Sequence, residues 1–261
     1  MGYLGGPFKR KDTSMKLTGN TILVTGGGSG IGQALAWQFH ARGNTVIVAG
    51  RNEASLAETV AGRQGMHPLA LDVSDPASVT AAVATLERDF PALNMLIHSA
   101  GMMTRQELGS GGTIDIAERI IQTNLVGTMR IVEALIPQLA SKADAAICTV
   151  SSGLAFVPLP STPAYSASKA GVHSYTVALR HRLRDQIEVI EIAPPAVQTG
   201  LTPGQETREG YLPLDQYIAE TMANFEQQPT PEENLVPMVL PLRHAERDGR
   251  VETILEMLGG L

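Results

Sequence analysis

The sequence predicts an α/β fold: a doubly wound parallel sheet with helices on both faces, in a single domain. Three observations carry that prediction. Short apolar, β-branched runs recur along the chain, several continuously apolar, as strands buried on both faces should be. Amphipathic stretches alternate with them, a pattern that yields parallel strands joined by right-handed crossovers. The 261 residues are 43% hydrophobic and 18% charged, with 26 glycines and few aromatics, which fits many short turns around one sizeable core.

Taken in order, the expected strands are Thr21–Thr25, Thr45–Ala49, Pro68–Leu71, Met95–His98, Ala145–Val150 and Ile187–Ile192. Helices are expected at Ile31–Arg42, Glu53–Gly62, Pro76–Asp89, Ile114–Leu139 and Ala164–Arg184. Asp75-Pro76 reads as an N-cap followed by proline at the first helical position. After Thr199 the pattern changes. Leu201–Pro213 is rich in Gly, Pro, Thr and charge, and helices are expected at Leu214–Gln227 and Pro231–Glu246. Residues 200–246 are expected to form a substrate-side loop with helices, a lid over ligand. The run Val251–Leu255 is expected as a seventh strand. No repeat or linker divides residues 15–261, and residues 1–14 are expected to be a flexible N-terminal extension.

Composition excludes several function classes. Twenty basic and 26 acidic residues give a net charge of −6, which argues against a nucleic-acid partner. No apolar run approaches the roughly 18 residues of a membrane span, and Lys9-Arg10-Lys11 has no apolar segment behind it, so a cytoplasmic location is expected. Cys148 is the single cysteine, and His40, His67, His98, His173, His181 and His244 are scattered, so no metal site is expected.

The first expected strand runs into Thr25-Gly26-Gly27-Gly28-Ser29-Gly30-Ile31-Gly32 and then a helix. Glycines in that place make a tight turn and let backbone N–H groups approach a pyrophosphate facing a helix N-terminus. Gly26, Ser29, Gly30, Ile31 and Gly32 are therefore candidate dinucleotide ligands in a Rossmann-type site. An NAD site of this kind carries an acid at the end of the second strand, for the ribose hydroxyls. Here Gly50-Arg51 stands in its place. A guanidinium without a neighbouring carboxylate suits a 2′-phosphate, so NADP(H) is favoured over NAD(H), which is not excluded. Asp72 and Val73 follow the third strand and are candidate adenine contacts.

Tyr165 and Lys169 are four residues apart, on one face of an expected helix. A nearby ammonium favours the phenolate and lowers a tyrosine's pKa toward the working range. Ser151-Ser152 ends the fifth strand, where α/β folds place ligands, and Asn124 lies in the preceding long helix.

These motifs, in this order, resemble the short-chain dehydrogenase/reductase family. The likeness covers roughly Lys16 to Gly200: T-G-x-x-x-G-x-G at Thr25–Gly32, Asp72-Val73, Ala100-Gly101, Asn124, Ser152, Tyr165-x-x-x-Lys169 and Pro194…Thr199, with Ser152 thirteen residues before Tyr165. The resemblance implies catalysis by Asn124, Ser152, Tyr165 and Lys169. Tyr165 would exchange a proton with the substrate oxygen, which Ser152 would steady. Lys169 would bind the nicotinamide ribose and depress the Tyr165 pKa, and Asn124 would hold a water linking Lys169 to solvent. Ala100, Gly101, Pro194, Val197 and Thr199 would join the cofactor site, Val197 and Thr199 at the carboxamide. The implied reaction interconverts a ketone or aldehyde with an alcohol. The alternative is a non-catalytic dinucleotide-binding sensor, and a sugar-nucleotide epimerase fits less well. The helices Ile114–Leu139 and Ala164–Arg184 resemble those through which family members pair, which implies a homodimer or homotetramer.

Some positions depart from the family pattern. His98-Ser99 stands where Asn-Asn is common, with His98 expected to be a strand-end residue with a satisfied ring nitrogen. Pro194-Pro195 replaces Pro-Gly and removes one N–H donor. The segment Glu191–Thr199 resembles that of DltE-type oxidoreductases. The apolar stretch Leu154–Leu159 points to a hydrophobic substrate. Met102 and Met103 are expected as apolar loop packing, with a place at the substrate mouth as the alternative, Trp37 as helix-to-sheet packing, Cys148 as inert, and His173 and His181 as interface or solvent-facing residues.

Overall fold

A computed structural model describes residues 14–260 apart from Ser110, so the expected extension, all but Ser14, lies outside the described residues. The strands are β1 (Thr21–Thr25), β2 (Thr45–Gly50), β3 (Met66–Ala70), β4 (Leu93–His98), β5 (Ala146–Val150), β6 (Glu188–Ile192) and β7 (Glu233–Asn234). The helices are α1 (Gly30–Ala41), α2 (Glu53–Val60), α3 (Pro76–Asp89), α4 (Thr113–Ile121), α5 (Gly127–Ala140), α6 (Pro163–Leu183), α7 (Leu214–Phe225), α8 (Leu240–Arg243) and α9 (Val251–Gly259). The described strands form one parallel sheet in the order β3-β2-β1-β4-β5-β6-β7. This is the expected Rossmann-type arrangement. The chain winds outward from β1 to β3, then crosses to β4 beside β1, which opens a crevice beyond the carboxyl ends of β1 and β4.

Alternation within each strand feeds two cores. Ile22 and Val24 of β1 and Ile190 and Ile192 of β6 pack with Leu35 and Phe39 of α1 and Phe225 of α7. Leu23, Ile147 and Val189 face the other way, onto Leu86, Ile131, Leu135 and Leu179 from α3, α5 and α6. β3 contains Pro68, which an edge strand tolerates because its missing N–H faces no partner. Asp75 caps α3 as expected, accepting from Ala77 N–H at 2.9 Å with Pro76 behind it.

Three expectations fail. The helix expected at Ile114–Leu139 is interrupted by a π-helical turn, Gln122–Val126, between α4 and α5. Gly127 just beyond it lies so close to Val73 that a Cβ would sit 2.8 Å from the Val73 side chain. Pro231–Glu246 is not one helix. Pro231, Pro237 and Pro241 break it into β7, a 3-10 turn at Pro237–Val239 and α8. The short β7 is the seventh strand, beside β6 with Glu191 opposite Glu233. Val251–Leu255 belongs instead to α9, whose Val251, Ile254, Leu255 and Leu258 recur at helical spacing against Val157 and Ala245.

Candidate active site

The glycine-rich turn between β1 and α1 is close-packed against the end of β4. Gly26 has φ +67°, and a Cβ there would lie 2.8 Å from the Ala100 nitrogen. At Gly32 a Cβ would lie 2.4 Å from the Gly26 carbonyl oxygen. Only glycine allows this approach, and it leaves the first turn of α1 open toward the crevice. Ser29, the N-cap residue, makes no side-chain capping bond. The Thr25 hydroxyl binds β1 to β4: it pairs with His98 Nδ1 at 2.8 Å and accepts from Ala100 N–H at 3.3 Å. His98 is, as expected, a strand-end residue with one satisfied ring nitrogen, while its buried Nε2 has no partner among the described residues. Burial, with the Lys169 charge nearby, pushes His98 down to about 3, so its ring is neutral and no proton shuttle near neutral pH.

The crevice has two recesses. The inner one, about 300 Å³, is lined by Gly26, Ser29, Gly30, Ile31 and Gly32 on one side and by Ser152, Tyr165, Lys169, Pro194, Val197 and Thr199 on the other. The outer one gathers Arg51, Asp72, Val73 and Ala100 and shares Gly26, Ser29 and Gly101 with the first. Asn124 lines neither and stands behind them. Asp72 lies beside Arg51. Burial works to raise its pKa, but hydrogen bonds from Ser74 and the charges of Arg51 and Arg130 hold it below the usual carboxylate range. Arg51 thus has an acidic neighbour, contrary to the expectation of a guanidinium without one.

Tyr165 and Lys169 are buried one turn apart on α6, and Ser152, two residues beyond β5, accepts from Leu154 N–H through its hydroxyl at 3.1 Å. Lys169 Nζ donates to the Val150 carbonyl at 2.8 Å and lies 5.7 Å from the Tyr165 ring centre. The expected depression of the Tyr165 pKa is not found. Burial disfavours the phenolate and raises the phenol to about 12, against a downward pull from Ser152. Lys169 moves the other way: burial lowers it to about 8, against the attraction of Glu191. Asn124 sits in the π-helical turn. Its amide accepts from Met102 N–H at 2.8 Å and donates to the Met102 carbonyl at 2.9 Å and the Ser168 hydroxyl at 3.0 Å. These bonds occupy the side chain with protein partners and fix the loop after β4.

Among the other side chains, Trp37 packs against the core over the sheet and Cys148 is buried, both as expected, while Met102, Met103 and His173 are placed differently. Met102 and Met103 line the inner recess. The stretch Leu154–Leu159 does not, since Val157 packs under α9. Trp37 reaches α2, donating to the Thr59 carbonyl at 3.0 Å. Tyr217 is core, Cys148 is buried with its thiol pushed up by desolvation, and His173 pairs with Glu191 at 2.8 Å. Gln205, which no local motif marks, lines the inner recess and ties Leu201–Pro213 down through the Val197 carbonyl at 2.8 Å.

With this geometry in place, comparison with known proteins decides the family. The model of the short chain dehydrogenase family matches residues 20–210. The chain belongs to the short-chain dehydrogenase/reductase family. As a member it is an oxidoreductase, and it is 40% identical over 200 residues to the oxidoreductase DltE of Bacillus subtilis, covering 75% of this chain and 79% of that one. It is 29% identical to dehydrogenase/reductase SDR family member 7B of Rattus norvegicus, over 82% and 69% of the two chains. Among solved structures, a short chain dehydrogenase from Burkholderia cenocepacia in complex with NADP has the same fold, with TM-score 0.79 at 24% identity over 94% and 99% of the chains. So does a family member from Burkholderia phymatum in complex with NAD, with TM-score 0.77 at 23% identity over 90% and 96%.

Proposed function

We propose that this oxidoreductase interconverts a carbonyl compound and an alcohol with NADP(H), in the direction of reduction. The observation that carries the reading is the single recess onto which the glycine turn, Ser152, Tyr165 and Lys169 all open. The turn fits a dinucleotide on its own terms, since Gly26 and Gly32 leave no room for a Cβ where backbone approaches the crevice. When bound, the nicotinamide supplies the hydride. Backbone N–H groups of Ser29–Gly32 hold the pyrophosphate at the start of α1, and Arg51 takes a 2′-phosphate in the outer recess. Lys169 binds the ribose hydroxyls. Ser152 donates a hydrogen bond to the substrate oxygen and stabilises charge developing there. Tyr165, raised to about 12, is protonated at neutral pH, the form needed to give its proton to that oxygen.

Leu201 and Gln205 support residues 200–246 as the substrate-side cover, because both line the inner recess. Met102, Met103 and Leu201 make the recess partly apolar, which suits a small molecule with a hydrophobic part. No described helix is long and apolar enough to cross a membrane. The proposal includes a cytoplasmic homodimer or homotetramer, paired on the α4–α6 side, where Ile114 and Val177 are exposed. The test is Tyr165→Phe against a carbonyl panel with NADPH and NADH. Turnover is expected to fall by about 10²–10⁴-fold with dinucleotide binding retained. Near-native turnover would remove Tyr165 from the chemistry.

A further inference from the structure

β6 alternates: Ile190 and Ile192 join the core under α1 and α7, while Val189 joins the core under α6. Glu191 therefore points the same way as Val189, into the layer under α6 that also holds the buried Thr149 and Thr176 hydroxyls, and its side chain is 0% exposed. A buried carboxylate is expensive unless paired and hydrogen-bonded. One oxygen has a partner, His173 Nδ1 at 2.8 Å, and the other, Oε1, has none among the described residues. His173 stands one turn beyond Lys169 on α6, as Lys169 stands one turn beyond Tyr165. On the outer side, Glu233 of β7 lies opposite Glu191 and is held by Arg243 of α8 through two bonds, 2.8 and 3.0 Å. Arg243 also covers Phe156, whose ring abuts His173. Arg243, Glu233, His173, Glu191 and Lys169 thus stand in one row.

His173, Glu191 and Glu233 lie within 4.8 Å of one another. Because Arg243 occupies both Glu233 oxygens, we read the group as an ion-pair row in preference to a metal centre.

We propose that Glu191 is a positioning residue for the reaction: its buried carboxylate, bonded to His173 one turn along α6 from Lys169, holds that lysine as the ammonium that serves Tyr165. This deepens the reading under Proposed function and rests on it. The attraction of Glu191 opposes the burial that otherwise strips the proton from Lys169. The groups that face the row are Tyr165, Lys169 and His173 from α6, Glu233 from β7 and Arg243 from α8, and His98 of β4 feels the Lys169 charge.

The test is Glu191→Gln in the full chain, read by ¹³C NMR titration of the lysine Cε carbons and by the pH dependence of kcat. The sequence has five lysines, so the Lys169 signal is assigned by its loss in Lys169→Met. The Lys169 midpoint is expected to fall by roughly one pH unit or more, and the alkaline limb of kcat to move with it. His173→Gln, which removes the imidazole bonded to Glu191, is expected to raise the midpoint, and it carries the test if Glu191→Gln fails to fold. An unmoved midpoint in a folded Glu191→Gln, or a lowered or unmoved one in His173→Gln, overturns the proposal. Wild-type protein inert toward every carbonyl, or full turnover by Tyr165→Phe, would defeat the site reading instead, while the NMR midpoints still decide the coupling.

Discussion

His98 makes the folded state vulnerable to acid. The ring is buried and held to Thr25 by one nitrogen, and its pKa is pushed from an ordinary 6.5 down to about 3. The unfolded chain therefore binds a proton on His98 below pH 6.5 that the folded chain refuses, and stability is lost as pH falls from 6.5 toward 3. At about 1.4 kcal/mol per pKa unit, the whole window is worth about 5 kcal/mol, and about 2 kcal/mol of it is lost between pH 7.5 and pH 5. The assay is urea unfolding across that range for wild type and His98→Gln. Near pH 7.5 the variant is expected to be the less stable, since it disturbs the Thr25 contact. At pH 5 the gap should have moved in its favour by about 2 kcal/mol. Parallel stability curves, or an NMR titration of the His98 ring with a midpoint near 6.5, would refute the reasoning.

Two further predictions concern the crevice. Arg51→Ala is expected to raise the KM for NADPH roughly tenfold or more while leaving NADH use nearly unchanged, because one charge-assisted contact is worth about that much. Steady-state kinetics with both dinucleotides checks this, and an unaltered NADPH preference would remove Arg51 from the phosphate site. Gly32→Ala places a methyl group 2.4 Å from the Gly26 carbonyl oxygen, so a loss of about 1–3 kcal/mol in denaturant unfolding and of NADPH fluorescence binding is expected. Native stability with native binding would contradict the packing described for the turn.

What was legible in the sequence was written in local chemistry. The apolar run of β1 and the Asp75-Pro76 start of α3 have their signals in the residues themselves. So do the glycines after β1 and the four-residue spacing of Tyr165 and Lys169. Elements decided by distant partners were harder to read. The π-helical turn at Gln122–Val126 depends on where Asn124 reaches Met102 and where Gly127 meets Val73, which no window around Asn124 contains. Val251–Leu255 is short enough to satisfy strand and helix periods alike, and only its contact with Val157 and Ala245 separates them. The raised Tyr165 pKa reflects burial, which spacing alone does not report. Glu191 left a trace, a carboxylate between Ile190 and Ile192 in β6, that gained meaning only with His173 beside it.

The two recesses meet at Gly26, Ser29 and Gly101 and share no other lining residue. Under the proposed function such a seam separates two tasks along one crevice. Substitutions on the Arg51 side can retune which ligand tail is admitted while the Tyr165 side keeps its reactive geometry, and the reverse holds for the partner compound. Lineages built on this scaffold are thus free to swap currency and cargo in separate steps, neither of which requires the other to be relearned.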